Sequence, residues 1–301
     1  MKRDFLRVID LTHEEVESLI DRAIALKGGA DGAARPLAGR SVGLLFEKSS
    51  TRTRVSFEVG VHQLGGQPIT LSTSEIQLGR GETVADTARV LSRYLHAVAI
   101  RTFDQSRIAE FAANATVPVI NALTDQHHPC QALADVMTVR ERKGRLAGLK
   151  MAYVGDGNNV AHSLVESAAL LGFHLVVACP EGFEPDNGVV AEARALGGGT
   201  IEVLRDPAAA AEGADVLYTD VWVSMGQEAE ETTRSAIFRP YQINEALLAR
   251  AASDAVVLHC LPAHRGEEIT GEVLDGPRSA VLDQAENRLH AQKALLEFLL
   301  R

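Results

Sequence analysis

The sequence predicts an α/β fold of two doubly wound, mainly parallel-sheet domains, on three observations. Short apolar runs of strand length alternate with segments of helical period along most of the chain, the signature of an open parallel sheet covered on both faces. The alternation breaks at Lys143-Gly144-Arg145-Leu146-Ala147-Gly148-Leu149-Lys150 and then starts afresh. A length of 301 residues with 46% hydrophobic content is enough for two separate cores.

In the first half, Thr12 and Glu15 are spaced as a capping box ahead of Val16, Leu19, Ile20 and Ala23, one face of a helix. A Gly- and Ala-rich loop covers 28–36. Residues 41–46 are a short apolar run, and Val55, Phe57, Val59, Val61 and Leu64 mark the helix after it. A strand thus feeds a helix through Lys48-Ser49-Ser50-Thr51-Arg52. Next come a strand at 68–71, a helix at 83–95, a strand at 97–101, a helix at 106–113 and a strand at 117–121, while 133–142 reads as a long link. The second half repeats the pattern: strand 151–154, a glycine turn, helix 160–171, strand 174–179, helix 192–196, and strands at 201–203, 216–219 and 255–259. Residues 279–300 have helical spacing, and periodicity leaves open which domain they join.

Lys and Arg total 30 against 40 Asp and Glu, a net charge of -10, which argues against a general binder of nucleic acid. Any anion must be captured by a local arrangement. The start, Met1-Lys2-Arg3-Asp4-Phe5-Leu6, lacks the apolar core of a secretory signal, and no stretch approaches the roughly 18 apolar residues of a membrane span. Cys130, Cys179 and Cys260 have the spacing of neither a disulfide framework nor a zinc site. The expectation is a cytoplasmic protein with no membrane association and no resident metal.

Ser50-Thr51-Arg52-Thr53-Arg54 falls at the start of a helix directly after a strand. Backbone N–H groups and the positive end of the helix dipole face an incoming anion there, and hydroxyls and guanidinium groups add donors. The plainer reading is that Ser50 only caps the helix. Arg101 closes a separate strand, and ends of parallel strands are where α/β ligands bind. In His127-His128-Pro129-Cys130-Gln131, a histidine can donate to a developing oxyanion and a glutamine carbonyl can accept from an amide. A helix-start hydrogen bond is the plainer role for His128, and a buried filler for Cys130.

Gly155-Asp156-Gly157-Asn158-Asn159-Val160 lies between a strand and a helix. It has two glycines of a dinucleotide fingerprint, but Val160 replaces the third; asparagines here can instead bind an amino acid. Asp220 follows a strand, with Ser224-Met225-Gly226 just beyond, so a carboxylate at the strand end can hold a cationic amine. An Asx turn at Asp220 is the plainer alternative. His259-Cys260-Leu261-Pro262 closes another strand, where neighbouring side chains point to opposite faces, so His259 is poorly placed to activate Cys260 as a nucleophile. Taken alone, Glu286-Asn287-Arg288 is a polar surface turn of the last helix.

Together, Ser50-Thr51-Arg52-Thr53, His128-Pro129-Cys130-Gln131, Asp220 with Ser224-Met225-Gly226, His259-Cys260-Leu261-Pro262 and Glu286-Asn287-Arg288 occur in an order that resembles the ornithine carbamoyltransferases. The resemblance spans essentially the whole chain. Its first two motifs are shared with aspartate carbamoyltransferases, so the later ones decide the acceptor. It implies a carbamoyl-phosphate domain at 1–142 completed by a C-terminal helix, 279–301, that returns to it, and an ornithine domain at 143–278.

By resemblance, Ser50, Thr51, Arg52, Thr53, Arg101, His128, Gln131 and Arg288 bind carbamoyl phosphate, with Gln77 lent by a neighbouring subunit. Asn159, Asp220, Ser224, Met225, Cys260 and Leu261 meet ornithine, and Arg101, His128, Asp220 and Cys260 carry the chemistry. The Leu261-Pro262 bond resembles a cis peptide of the family. The resemblance further implies a homotrimer or larger assembly of trimers, a place in arginine biosynthesis, and no cofactor. A carbamoyltransferase for another amine, an NAD-dependent dehydrogenase and a non-catalytic metabolite-binding protein are the competing readings.

Overall fold

The computed structural model describes residues 2–30, 34–72, 81–223 and 231–301. Gln77, Ser224 and Met225, and part of the loop at 28–36, lie outside the described residues. The chain divides into two compact units, Met1–Met137 with Glu286–Arg301, and Thr138–Ala285.

The first unit begins with α1 (His13–Lys27), started by the capping box read from the sequence: Thr12 Oγ1 accepts from the Glu15 N–H, and Glu15 Oε2 accepts from the Thr12 N–H. Then follow β1 (Ser41–Phe46), α2 (Thr51–Gln63), β2 (Gln67–Ser72), α3 (Val84–Leu91), β3 (Ala97–Arg101), α4 (Gln105–Asn114), β4 (Val119–Leu123) and α5 (Pro129–Lys143). The strands pair in parallel in the order β2-β1-β3-β4. Chain order reverses between β1 and β3, whose ends meet at Phe46 opposite Arg101. On one face Leu45, Val98 and Ile100 pack with Ile108 and Phe111 of α4, each such side chain contributing about 1.5–3 kcal/mol by leaving water.

The segment read as a link at 133–142 is the body of α5. Ala132, Leu133, Ala134, Val136, Met137 and Val139 are all buried, and so are Gln131, Asp135 and Thr138. A helix enclosed on every side shows no apolar stripe, so its period was hidden. Helix α3 also stops at Leu91, short of the expected 95.

The second unit contains β5 (Lys150–Val154), α6 (Asn159–Leu171), β6 (His174–Ala178), α7 (Asn187–Leu196), β7 (Thr200–Leu204), α8 (Pro207–Ala211), β8 (Val216–Thr219), α9 (Glu231–Phe238), α10 (Glu245–Leu248), β9 (Val256–His259) and α11 (Gly271–Leu274). Helices α8 to α11 are four to eight residues long, too short for helical periodicity to reveal. The parallel order is β7-β6-β5-β8-β9, with the reversal between β5 and β8. Ala152, Val154, Val176 and Leu217 build the core with Trp222 and Phe238.

The last helix, α12 (Val281–Leu299), carries its later turns into the first unit. Arg22 of α1 bonds both oxygens of Glu297, at 2.7 and 2.9 Å, and Lys27 reaches Asn287 Oδ1 at 2.7 Å. Among the described residues no helix is long and apolar enough to cross a membrane.

Candidate active site

Ligands of doubly wound sheets lie beyond the strand ends at the reversal of chain order. Each unit gathers its chemistry-bearing side chains there.

In the first unit Ser50 caps α2, its hydroxyl accepting from the Thr53 N–H at 3.2 Å. Thr51 and Arg52 occupy the first helical turn, with the positive end of the helix dipole beneath them. Thr53 is fully buried. Its hydroxyl lies 2.6 Å from Arg288 Nη2, while Arg288 Nη1 donates to Gln131 Oε1 at 2.8 Å. Gln131 in turn donates to Asp135 Oδ1 at 2.8 Å. One guanidinium thus joins the start of α2, the start of α5 and α12.

Arg101 ends β3 and is almost wholly buried. His128 immediately precedes α5 and is buried as well. Burial holds the His128 pKa well below the usual imidazole range, and the positive charges of Arg288, Arg101 and Arg52 push it the same way. These three guanidinium groups make a positive locus in a chain of net charge -10, and the neutral imidazole beside them is a donor without a charge of its own. Burial raises the Cys130 thiol to about 12, and Sγ donates to the Asn121 carbonyl at 3.3 Å, so it is a filler with no reactive thiolate.

Lys48, two residues before the cap, is a buried cation that the spacing does not mark. It is ion-paired with Asp125 and stands 4.3 Å over the Phe103 ring. Its signal was only its place in the strand-to-helix turn.

In the second unit, the ends of β5, β8 and β9 bring Asn158, Asp220 and Cys260 together. Asp220 is buried. Its Oδ1 accepts from Cys260 Sγ and from the Val221 N–H, both at 2.8 Å, and its Oδ2 accepts from Asn158 Nδ2 at 2.8 Å. Asn158 also caps α6, Oδ1 accepting from the N–H groups of Val160 and Ala161, and it receives the Tyr153 hydroxyl at 3.2 Å. Burial and the neighbouring Asp220 raise the Tyr153 pKa well above the phenol range, so it stays a donor. Asn159, the asparagine chosen from the sequence, occupies the first turn of α6, half-buried. The bond to Asp220 described above comes from the cap, Asn158.

The turn that suggested a dinucleotide is filled by the protein itself. Gly157 donates to the Phe183 carbonyl at 2.8 Å, and a Cβ there would lie 2.2 Å from the Pro185 nitrogen. The second glycine of a nucleotide fingerprint exists to let pyrophosphate approach the backbone; here residues 183–185 take that space. Asp156 is ion-paired with Arg234, whose guanidinium lies 4.8 Å from the Phe183 ring and 5.3 Å from Phe238.

Leu261 has φ 56 and is joined to Pro262 by a cis bond. Its N–H donates to His259 Nδ1 at 2.9 Å, and His259 Nε2 lies 2.9 Å from Glu268 Oε1. Ligand atoms of Asp220, His259 and Cys260 come within 4.8 Å of one another, but the ring nitrogens of His259 and the oxygens of Asp220 are all engaged in these bonds. His259 is bonded into the interior and does not activate Cys260. Arg265, in the basic stretch that follows, pairs with Asp275 at the surface, at 2.7 and 2.9 Å.

Residues 3–141 match the family described as aspartate/ornithine carbamoyltransferase, carbamoyl-P binding domain, and residues 147–299 match its Asp/Orn binding domain. The chain is 56% identical over 302 residues to an ornithine carbamoyltransferase of Syntrophus aciditrophicus, covering 100% of both chains. It is 59% identical to one from Acidothermus cellulolyticus, covering 100% of this chain and 97% of that one. The solved structure of an ornithine carbamoyltransferase from Pyrococcus furiosus superposes with a TM-score of 0.94 at 53% identity, covering 98% of this chain and 96% of that chain.

Proposed function

The chain belongs to the aspartate/ornithine carbamoyltransferase family, and from that premise we propose which residues carry its reaction and in what setting. It is an enzyme, a carbamoyltransferase that moves the carbamoyl group of carbamoyl phosphate to L-ornithine, giving L-citrulline and phosphate. The observation that carries the residue assignment is the bonding of Arg288 to both Thr53 and Gln131, beside a neutral His128.

The phosphate end of the substrate meets Ser50, Thr51 and Arg52 at the start of α2, where the positive end of the helix dipole and the guanidinium offset its charge. Arg101 and His128 donate to the carbonyl oxygen as it becomes an oxyanion, with Thr53 beside them. Gln131, fixed between Arg288 and Asp135, orients the carbamoyl amide. Gln77 of a neighbouring subunit completes this pocket.

The acceptor amine has a solution pKa of about 10, as for lysine, and only its neutral form attacks. Asp220 and Cys260, already bonded to each other, receive the acceptor. The carboxylate holds an ammonium group, and Cys260 and Leu261 line the reacting end. Asn159, Ser224 and Met225 fix the rest of the amino acid. The amine nitrogen forms the new C–N bond, the C–O bond to phosphate breaks, and the proton lost from that nitrogen goes to the departing phosphate. This division assigns 1–142 with 279–301 to carbamoyl phosphate and 143–278 to ornithine.

The setting we infer is arginine biosynthesis in the cytoplasm, as a homotrimer or an assembly of trimers. Three free cysteines support a reducing compartment. The first experiment measures phosphate release and citrulline formation from carbamoyl phosphate with ornithine, aspartate, acetylornithine or putrescine, and with no acceptor. Citrulline matching acceptor-dependent phosphate mole for mole supports the assignment. Turnover with a different acceptor alone would overturn the second-unit roles and leave the first-unit roles standing.

A further inference from the structure

His259, the last residue of β9, has no exposed surface and uses both ring nitrogens. Nδ1 accepts from the Leu261 N–H, so it carries no proton. The ring is therefore the Nε2–H tautomer, and Nε2–H donates to Glu268 Oε1 at 2.9 Å. The same Glu268 oxygen accepts from the His264 N–H at 2.6 Å. One fully buried carboxylate thus holds both ends of the segment 259–264. The strand end is pinned as well: the His259 N–H donates to Gln284 Oε1 at 2.9 Å, and Gln284 donates to the Tyr218 hydroxyl at 3.1 Å.

Between these ties run Cys260, bonded to Asp220, and Leu261, in a left-handed conformation uncommon for a residue with a Cβ. Nothing in the side chain of leucine favours that backbone. The acceptor that His259 offers to the Leu261 N–H helps hold that conformation, and that acceptor exists only while the proton sits on Nε2. Glu268 keeps it there. The arrangement parallels the way a carboxylate fixes the tautomer of a working histidine, except that here the histidine directs a backbone amide.

We propose that His259 and Glu268 are positioning residues for the acceptor half of the reaction. They set the Leu261 backbone and the Cys260 thiol against Asp220, and through them the affinity for ornithine, without touching the substrate. The proposal rests on the assignment of Asp220, Cys260 and Leu261 to the ornithine end.

Two substitutions separate this from simple core filling. Asn at 259 places an oxygen near the Nδ1 position and can still accept from Leu261; Gln is closer to histidine in volume but reaches toward Nε2. The full-length enzyme is assayed for ornithine KM, carbamoyl phosphate KM, kcat and thermal midpoint. His259→Asn is expected to keep the ornithine KM within about threefold, while His259→Gln raises it about tenfold with the carbamoyl phosphate KM unmoved.

Core filling reverses that order, and a reversed order overturns the proposal. Glu268→Gln, which keeps an oxygen facing both N–H groups, against Glu268→Leu, which keeps none, reads the same effect should the histidine variants not fold. Equal ornithine KM in that pair overturns it too. A wild-type enzyme inert toward ornithine would sink the underlying assignment and the proposal together; an active wild type with unmoved ornithine KM across the variants sinks the proposal alone.

Discussion

Arg288 and Thr53 stand 235 positions apart in the chain, yet Nη2 of the arginine lies 2.6 Å from the threonine hydroxyl. Nη1 of the same group reaches Gln131 at 2.8 Å, so one planar fork spans two helix starts. A lysine carries the charge but not the fork. Arg288→Lys is expected to raise the carbamoyl phosphate KM roughly tenfold to hundredfold, the worth of a hydrogen bond to a charged group, about 1.5–3 kcal/mol. Steady-state kinetics at saturating ornithine read this directly. A carbamoyl phosphate KM within twofold of wild type would leave Arg288 a structural strut only.

Arg101 differs in that it aims at charge that develops during the reaction. Removing one well-placed oxyanion donor costs about 3 kcal/mol, roughly a hundredfold in kcat. Arg101→Ala is expected to lose that much turnover, with circular dichroism unchanged because the side chain sits at a strand end. Near-normal kcat in a folded variant removes Arg101 from the chemistry.

The sequence shows the strand ends more plainly than the side chains that meet beyond them. Apolar runs located β1, β3, β5 and β8, because a central parallel strand is apolar on both faces, and β9, an edge strand whose four residues are all buried. Helix α5 escaped because it is buried all round, and Arg288 looked like surface because its partners are distant in sequence. Asn158 and Asn159 are neighbours of equal chemistry. Which one caps depends on where α6 begins, and a helix boundary is the least legible feature of a sequence. Glu268 lay in a charged run, Arg265-Gly266-Glu267-Glu268, with nothing local to distinguish the fully buried carboxylate from the exposed arginine.

His128 ties stability to pH. Burial first, then Arg288, Arg101 and Arg52, hold its folded pKa well below 6.5. The unfolded chain takes up a proton there near pH 6.5, so below that value the unfolded state binds more protons than the folded one. Stability from this group is present in full above about pH 6.5 and is lost as pH falls toward the folded pKa, by up to about 1.4 kcal/mol per pH unit. Chemical denaturation in phosphate-free buffer from about pH 7 down to about pH 5 should show a shallower decline for His128→Gln than for wild type. Parallel declines would mean that the imidazole is not held neutral.

Asn158 performs two tasks through different atoms. Oδ1 caps α6, and Nδ2 donates to Asp220 at 2.8 Å. Serine caps a helix nearly as well as asparagine, but its side chain is too short to reach the carboxylate; alanine does neither. Asn158→Ala should therefore be less stable than Asn158→Ser by about 1 kcal/mol in chemical denaturation. Both variants release Asp220 from its amide donor, so both should raise the ornithine KM by a similar factor, roughly tenfold. The two readouts must separate for the assignment to stand. If serine restores the ornithine KM along with stability, capping is the whole of what Asn158 does, and its bond to Asp220 contributes nothing to acceptor binding.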